Sequence, residues 1–155
     1  MDRDTRYEQV SKDILAVLEG ETNPTARMAT VACLLAQAFP ERFSWTGFYC
    51  VDPNRTDELV VGPYQGTLGC LRIAFGRGVC GQVAAARKSL IVDDVHAHPG
   101  HITCDSQTNS EIVVPVFDGT GALIAVLDVD ATLPAAFDER DRTRLEALMQ
   151  AVFAV

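Results

Sequence analysis

The sequence lacks an excess of positive charge. It has 13 Lys and Arg residues against 21 Asp and Glu residues, which gives a formal net charge of −8 at pH 7 and a pI of about 4.7. Binding to nucleic acid needs a basic face that displaces counterions, and binding to anionic lipid needs a basic surface. The composition therefore argues against nucleic acid and against a membrane surface as partners.

Long apolar runs are absent as well. The longest, such as Val31–Ala36 and Ala122–Leu127, have six residues, whereas a membrane-spanning helix needs about twenty. The first residues, Met1–Asp4, include no apolar stretch and do not resemble a secretory signal peptide. We therefore expect a cytoplasmic protein. In that reducing compartment its five cysteines are thiols at rest.

Repeats, low-complexity segments and linkers are also missing. A chain of 155 residues, against roughly 150 residues per domain, is expected to form one domain that spans residues 1–155. Hydrophobic residues make up 48% of the chain, and a domain of this size can bury a core without disulfides.

Apolar residues at helical spacing predict helices at both ends of the chain. Two helices are expected within about residues 5–39, the second with Asn23 as its N-cap and Pro24 as its first residue. The last helix is expected over about residues 137–153. A short helix is predicted between them, at about Val79–Arg87.

The region from about residue 43 to residue 130 is rich in β-branched and aromatic residues, which favour strands. The predicted strands are Phe43–Val51, Leu59–Tyr64, Leu71–Phe75, Leu90–Val92, Ile112–Phe117 and Ala122–Val129. Because hairpins join most of them, we predict an α+β fold. Its central antiparallel sheet has about six strands, and the N- and C-terminal helices pack on one face.

One segment, Asp94–Ser110, has no periodicity over seventeen residues. A loop of that length in a small domain is usually functional or disordered. This one holds all three histidines of the chain, His96, His98 and His101, together with Cys104. We interpret it as a functional loop.

The cysteines fall into two groups. Cys33 and Cys50 lie in apolar stretches of a predicted helix and strand, where cysteine acts as a small hydrophobe. Cys70 follows a glycine-containing loop, and Cys104 lies in the long loop. Cys80 lies in the first turn of the short helix, where the helix dipole favours a thiolate. The sequence alone leaves open whether the last three converge.

A metal site has to be weighed because the three histidines and Cys104 lie two or three residues apart. Zinc accepts such ligands, and Cys70 and Cys80 could supply further thiolates. Structural zinc sites, however, usually carry paired CxxC or HxxxH motifs, which this sequence lacks. We expect no metal.

Three carboxylates are predicted to meet at one end of the sheet. Asp128 and Asp130 share one side of a strand because side chains alternate. Glu111 opens the preceding antiparallel strand, which brings it near that pair. Carboxylates placed close together raise the pKa of one of them, so a proton is available near neutral pH. The alternatives are a cation site and simple solvated strand ends.

Two aromatic residues, Trp45 and Tyr49, lie four positions apart on the first long strand and therefore share a face. An aromatic face close to carboxylates can hold an ammonium-like group. For each residue taken alone, ordinary core packing is the slightly better interpretation.

Taken together, these residues resemble a known family, the free methionine-(R)-sulfoxide reductases of the GAF-domain superfamily. The resemblance extends from about Tyr7 to Ala151. GxGVCG alone is common among GAF domains, whereas the HIxCD…SEIV run together with two further cysteines is specific. The motifs that carry the resemblance are Gly62–Gly66 (GPYQG), Gly76–Gly81 (GRGVCG), Gly100–Asp105 (GHITCD), Asn109–Val113 (NSEIV) and Leu127–Asp130 (LDVD).

The resemblance implies a cytosolic enzyme that reduces free methionine sulfoxide, with thioredoxin as the reductant and without a cofactor. By position, Cys104 matches the family's catalytic cysteine, Cys70 the cysteine that forms a disulfide with it, and Cys80 the auxiliary one. The residues that match the substrate pocket are Trp45, Tyr49, Glu111, Asp128 and Asp130. A homodimer is compatible with the sequence.

Two other classes of function stay open at this point. One is a non-enzymatic GAF module that senses a small molecule, in which the three matching cysteines would have no role. The other is a metal-dependent regulator that uses the histidine loop.

Overall fold

The computed structural model describes residues 1–102 and 105–155. Cys104, the predicted nucleophile, therefore lies outside the described residues. The helices are α1 (Arg3–Val17), α2 (Pro24–Ala38), α3 (Gly78–Ala86) and α4 (Glu139–Phe153), with a short 3-10 helix at Val95–Ala97. The strands are β1 (Trp45–Asp52), β2 (Arg55–Gln65), β3 (Arg72–Ala74), β4 (Leu90–Val92), β5 (Ser110–Phe117) and β6 (Leu123–Ala131).

The six strands form one sheet in the order β3-β2-β1-β6-β5-β4. Every neighbouring pair is antiparallel. The predicted α+β fold with a six-stranded antiparallel sheet is therefore confirmed. Strands β1, β6 and β5, which lie at the centre of the sheet, carry the residues of the candidate site.

The two faces of the sheet are covered differently. On one face, α1, α2 and α4 enclose the main hydrophobic core, as the sequence predicted. On the other face, α3 lies over a smaller cluster. Alternation along β5 separates the two, since Ile112 and Val114 point to the helical layer while Val113 points towards α3.

Local capping explains where the long helices begin. The Asp2 side chain accepts a hydrogen bond from the Thr5 backbone N–H at 2.8 Å, and Asn23 accepts one from Ala26 at 2.9 Å. Pro24 follows Asn23 as the first helical residue, as predicted. At α4, Asp138 and Asp141 form a reciprocal capping box.

Several predicted boundaries differ from the structure. β1 begins at Trp45 rather than at Phe43, because the Phe43 ring stacks on Phe39 within the helical layer. β2 begins at Arg55, four residues before the predicted start. The prediction missed its first residues because they are exposed and carry no apolar pattern. The long loop also contains a helical turn, initiated where the Asp94 side chain accepts a hydrogen bond from the His96 backbone.

Within the described part of the chain, no helix combines the length and the apolar character that a membrane crossing requires.

Asp141 connects the two ends of the chain. It is fully buried and accepts hydrogen bonds from the Tyr7 hydroxyl at 2.7 Å and from the Arg3 guanidinium at 3.0 Å. It also accepts one from the Asp138 backbone at 2.8 Å. Burial, followed by the Asp141 charge, raises the pKa of Tyr7, so the phenol stays a donor. This group therefore ties α1 to the start of α4.

We predict that Tyr7→Phe lowers the free energy of unfolding by about 1–2 kcal/mol, because a bond to a charged acceptor is lost. Asp141→Ala should cost about 3 kcal/mol, since it leaves buried donors unpaired. Urea unfolding followed by circular dichroism measures both. Glu8→Ala, which removes only an exposed pair with Arg144, is the control and should change stability by less than about 0.5 kcal/mol. Equal losses in all three variants would contradict the prediction.

Candidate active site

The register of the central strands brings the predicted polar residues together. Trp45 on β1 lies opposite Asp130 on β6, and Asp130 lies opposite Glu111 on β5. Asp128 lies two residues back along β6, opposite Gly47 on β1. Because side chains alternate, this whole group faces α3 rather than the main core.

These side chains line a cavity between the sheet, α3 and two loops. The sheet contributes Trp45, Tyr49, Glu111, Asp128 and Asp130, and α3 contributes Gly78, Val79 and Cys80. The loop after β2 supplies Leu68 and Gly69, and the loop before β5 supplies His101, Ile102, Asp105 and Thr108. All five predicted pocket residues and Cys80 therefore lie around one cavity.

The three carboxylates are close together, and two of them are buried while Asp130 is half-buried. Glu111 and Asp128 are only 6% and 5% exposed. Burial, followed by the charges of Asp128 and Asp130, raises the pKa of Glu111 well above its ordinary value. Burial and then Asp128 do the same for Asp130. The cluster therefore retains protons to higher pH than exposed carboxylates do.

Asp128 accepts several hydrogen bonds within the cluster. Burial raises its pKa, but hydrogen bonds from Glu111, Asp130 and Cys80 oppose that rise. The Oδ1 atoms of Asp128 and Asp130 are buried and have no hydrogen-bond partner among the described residues. Two orphaned acceptors in a cavity suit a ligand that brings donors, such as an ammonium group.

Cys80 differs from the prediction made for it. It is 4% exposed, and burial, then the charges of Asp128 and Glu111, raises the pKa of its thiol well above the ordinary value. The expectation that the start of the helix would favour a thiolate is wrong here, because burial beside carboxylates outweighs the helix dipole. Cys80 is a thiol that hydrogen bonds to Asp128.

An aromatic group forms another wall of the cavity. Tyr49 and Tyr64 both stack on Trp45, with ring centroids 5.6 and 4.9 Å away. Gly47 makes this packing possible, because a Cβ there would lie 2.2 Å from the Tyr64 Cβ. Burial, then the Asp128 charge, raises the pKa of Tyr49, so its hydroxyl keeps its proton. Tyr64 belongs to the GPYQG segment, but sequence reasoning did not assign it to the site.

Hydrogen bonds attach the loop that carries Cys70 to residues around the cavity. The Cys70 backbone N–H donates a hydrogen bond to the Tyr49 hydroxyl. The Trp45 indole donates to the Thr67 carbonyl at 2.8 Å. The Thr67 hydroxyl in turn donates to Asp105 Oδ2 at 2.8 Å. Because Asp105 follows Cys104 directly in the chain, this bond joins the segment before Cys70 to the segment after Cys104. Sequence reasoning missed Thr67.

The remaining cysteines lie away from the cavity. Cys33 is half-buried in α2, where its sulfur accepts from the Gln37 amide at 3.5 Å. Cys50 on β1 points to the opposite face, with its sulfur 3.6 Å from that of Met28. Burial raises the pKa of Cys50. Neither side chain belongs to the group described above.

The three histidines have three different partners. His96 Nε2 contacts the Asn109 amide oxygen at 3.0 Å, and His98 Nε2 contacts the Gln82 amide oxygen at 2.8 Å. Only His101 lines the cavity, with Nε2 4.0 Å from Glu111 Oε1. Burial lowers the pKa of His101, which favours its neutral form. Because the three histidine side chains contact different groups, they do not support the metal-regulator hypothesis.

Three groups in the cavity could in principle act as metal ligands. The potential ligand atoms of Cys80, Glu111 and Asp128 lie within 4.8 Å of one another. A metal requires these groups to be deprotonated, whereas the pKa values of Cys80 and Glu111 are raised, first of all by burial. Binding of a metal ion here would therefore have to displace protons from Cys80 and Glu111.

Comparisons with known proteins agree on the fold, and several of the relatives are named for one activity. A model of the GAF domain matches residues 22–153. The chain is 43% identical to GAF domain-containing protein A of Dictyostelium discoideum over 148 residues, which cover 96% of this chain and 90% of that protein. It is 38% identical to the free methionine-R-sulfoxide reductase of Escherichia coli over 149 residues, which cover 96% and 87% of the two proteins.

A solved structure shows the same similarity. It is the X-ray structure of the free methionine-R-sulfoxide reductase from Neisseria meningitidis in complex with its substrate. It matches this chain with a TM-score of 0.92 and 46% sequence identity, and the match covers 98% of this chain and 89% of that one.

The carboxylate cluster should make stability depend on pH. Between the ordinary pKa and the raised pKa, the folded protein binds protons that the unfolded chain has released, so stability falls as pH rises through that window. Glu111→Gln and Asp130→Asn remove this effect. Relative to the wild type, both should gain stability as pH rises above the ordinary carboxyl pKa, by at least about 1 kcal/mol across the window.

Urea unfolding at several pH values measures the effect. Asp57→Asn, which replaces an exposed carboxylate, is the control and should shift the curve equally at every pH. A difference between Glu111→Gln and the wild type that did not grow with pH would contradict the proton-holding cluster.

Proposed function

The chain belongs to the GAF-domain family and, within it, to the free methionine-(R)-sulfoxide reductases, and on this basis we propose that it reduces free L-methionine-(R)-sulfoxide to L-methionine. The observation that carries the proposal is the buried cluster of Glu111, Asp128 and Asp130 beside the aromatic wall of the same cavity.

The cavity supplies what each end of the substrate needs. A sulfoxide sulfur accepts a thiolate only while its oxygen is being protonated, so an acid has to lie beside the nucleophile. The raised pKa values of Glu111 and Asp130, caused first by burial, supply such acids. The amino group of the free amino acid is an ammonium, which the orphaned oxygens of Asp128 and Asp130 can accept.

The same burial explains a preference for the free amino acid. The Asp128 carboxylate is only 5% exposed and lies underneath α3. An ammonium that pairs with it must therefore enter the cavity. A methionine sulfoxide within a peptide has no ammonium there, and its flanking backbone would have to pass through the wall of the cavity. The stacked rings of Trp45 and Tyr49 offer a face for the sulfonium-like sulfur and the methyl group.

In the proposed reaction Cys104 is the nucleophile. Its thiolate attacks the sulfoxide sulfur while a carboxylic acid of the cluster protonates the oxygen, and the oxygen is transferred to the cysteine. Methionine leaves, its sulfur having been reduced by two electrons, and Cys104 is oxidised to a sulfenic acid. The assignment of Cys104 rests on its position in the GHITCD motif, with both Ile102 and Asp105 lining the cavity.

Cys70 is the proposed resolving cysteine. Its thiol condenses with the Cys104 sulfenic acid, which gives a disulfide and releases water. The bond between Thr67 and Asp105 supports this pairing, because it holds together the two segments that carry the cysteines. An outside dithiol, for which we propose thioredoxin, then reduces the disulfide by exchange. This cycle requires a reducing compartment, so we place the protein in the cytoplasm.

Cys80 has a different role in this scheme. Its pKa is raised by burial and by the carboxylates, so it is a poor nucleophile but a good hydrogen-bond donor to Asp128. We assign it an auxiliary function in orienting that carboxylate. A homodimer stays a prediction.

The first prediction of this function concerns the substrate. With dithiothreitol as the reductant, the protein should consume the R epimer of free methionine sulfoxide and leave the S epimer. Chiral chromatography of a racemic mixture measures both. Equal loss of the epimers, or turnover of a peptide substrate only, would contradict the proposal. Binding of the sulfoxide without any turnover would favour the sensor hypothesis instead.

The second prediction separates the two cysteine roles. Cys104→Ser should release no methionine, because a hydroxyl cannot replace the thiolate. Cys70→Ser should still release about one methionine per protein, since attack precedes resolution, but it should lose multiple turnover with thioredoxin. Rapid-quench assays measure the burst, and Cys33→Ser is the control that should behave like the wild type. A full burst from Cys104→Ser would show that another cysteine is the nucleophile.

A further inference from the structure

Two leucines beside Cys70 are unusually exposed. Leu68 is 79% and Leu71 72% exposed, more than any other large hydrophobic residue away from the chain ends among the described residues. Leu68 precedes Cys70 by two residues, and Leu71 follows it directly. Cys70 itself is half-buried. Single exposed leucines are common on protein surfaces, but these two lie at a proposed redox centre.

The segment around the leucines also lacks charge. Residues 65–71 (QGTLGCL) contain no charged side chain, although charged residues make up 22% of the whole chain. Depletion of charge with apolar residues at the centre is typical of the core of a protein interface. The nearby Arg72 is occupied by ion pairs with Asp52 and Glu58, so a polar rim borders the uncharged segment.

The segment is anchored rather than loose. The Val61 backbone N–H donates to the Leu71 carbonyl at 2.9 Å. At the other end, the Thr67 carbonyl accepts from the Trp45 indole, and the Thr67 hydroxyl donates to Asp105. Because the backbone is held at both ends, little ordering is required when a partner binds.

The redox cycle requires an outside protein at one of the cysteines. Cys80 lies on the inner side of α3 and is only 4% exposed, so a protein thiol cannot reach it without opening the fold. Cys70 is the more accessible of the two described cysteines of the proposed cycle. Among the described cysteines of the cycle, Cys70 is therefore the one beside which an outside dithiol can dock.

We propose that Leu68 and Leu71 form the docking surface for the protein dithiol of the thioredoxin class that recycles the enzyme. This inference rests on the proposed function. While the partner is docked, its thiolate attacks Cys70 and expels Cys104 as a thiolate, which gives a mixed disulfide. The partner's second thiol then attacks its own bonded sulfur and releases Cys70, so two electrons pass from the dithiol to the disulfide.

The size of the surface favours such a partner over a second copy of the chain. Two leucines and their uncharged neighbours form a small patch, which is typical of transient redox encounters. A stable homodimer needs a much larger apolar area. The net charge of −8 also argues against docking on an anionic membrane.

Steady-state kinetics with two reductants tests the proposal. The decisive variant is Leu71→Gln, because Leu71 does not line the cavity, whereas Leu68 does. With thioredoxin, thioredoxin reductase and NADPH, the KM for thioredoxin should rise about tenfold, as expected for the loss of an apolar anchor. With dithiothreitol, turnover and the KM for methionine sulfoxide should stay within about twofold of the wild type.

Two further variants complete the test. Leu71→Met keeps an apolar side chain and should restore the KM for thioredoxin. Leu15→Gln, on α1 at the opposite face of the sheet and 43% exposed, is the matched control and should leave both reductants unaffected.

Each outcome decides a different question. An unchanged KM for thioredoxin in Leu71→Gln would overturn the docking surface, and so would an equal loss with dithiothreitol. A wild type that reduces the sulfoxide with dithiothreitol but not with thioredoxin would also overturn it. No reduction by the wild type with either reductant would instead contradict the proposed function itself.

Discussion

The burial of three carboxylates at one end of the sheet is the constraint on which the site depends. Strand register places Glu111 directly opposite Asp130, with Asp128 two residues away, and α3 covers the group. Like charges that are shielded from water cannot all be ionised together. The cluster must therefore keep protons or pair with a cation, and a substrate that brings both an ammonium and an oxygen to be protonated satisfies both demands.

The cover over these carboxylates depends on close backbone contact. A Cβ at Gly81 would lie 2.4 Å from the Ala74 carbonyl oxygen, so only glycine lets α3 approach β3 this closely. The Gly76 backbone also donates to the Gly81 carbonyl at 2.7 Å. This contact sets the helix so that Cys80 faces Asp128. Gly81 thus permits the close approach of the helix that covers the cluster.

Features set by local pattern were predictable from the sequence, and features set by distant contacts were not. Alternation along β6 and the hairpin to β5 were sufficient to place the carboxylates together, and the capping residues were sufficient to place the start of α2. The protonation of Cys80 was predicted wrongly, because the carboxylates that raise its pKa come from other strands. Tyr64 and Thr67 were missed because only the folded sheet brings them to Trp45.

The arrangement separates two kinds of chemistry that one cavity could not easily perform together. Proton transfer to a sulfoxide benefits from burial, since burial keeps Glu111 and Asp130 protonated. Electron supply by a protein dithiol requires exposure, since sulfur must contact sulfur. A resolving Cys70, half-buried on an anchored surface segment, would carry oxidising equivalents from the cavity to the surface. The enzyme would then be recycled without opening α3 over the carboxylates.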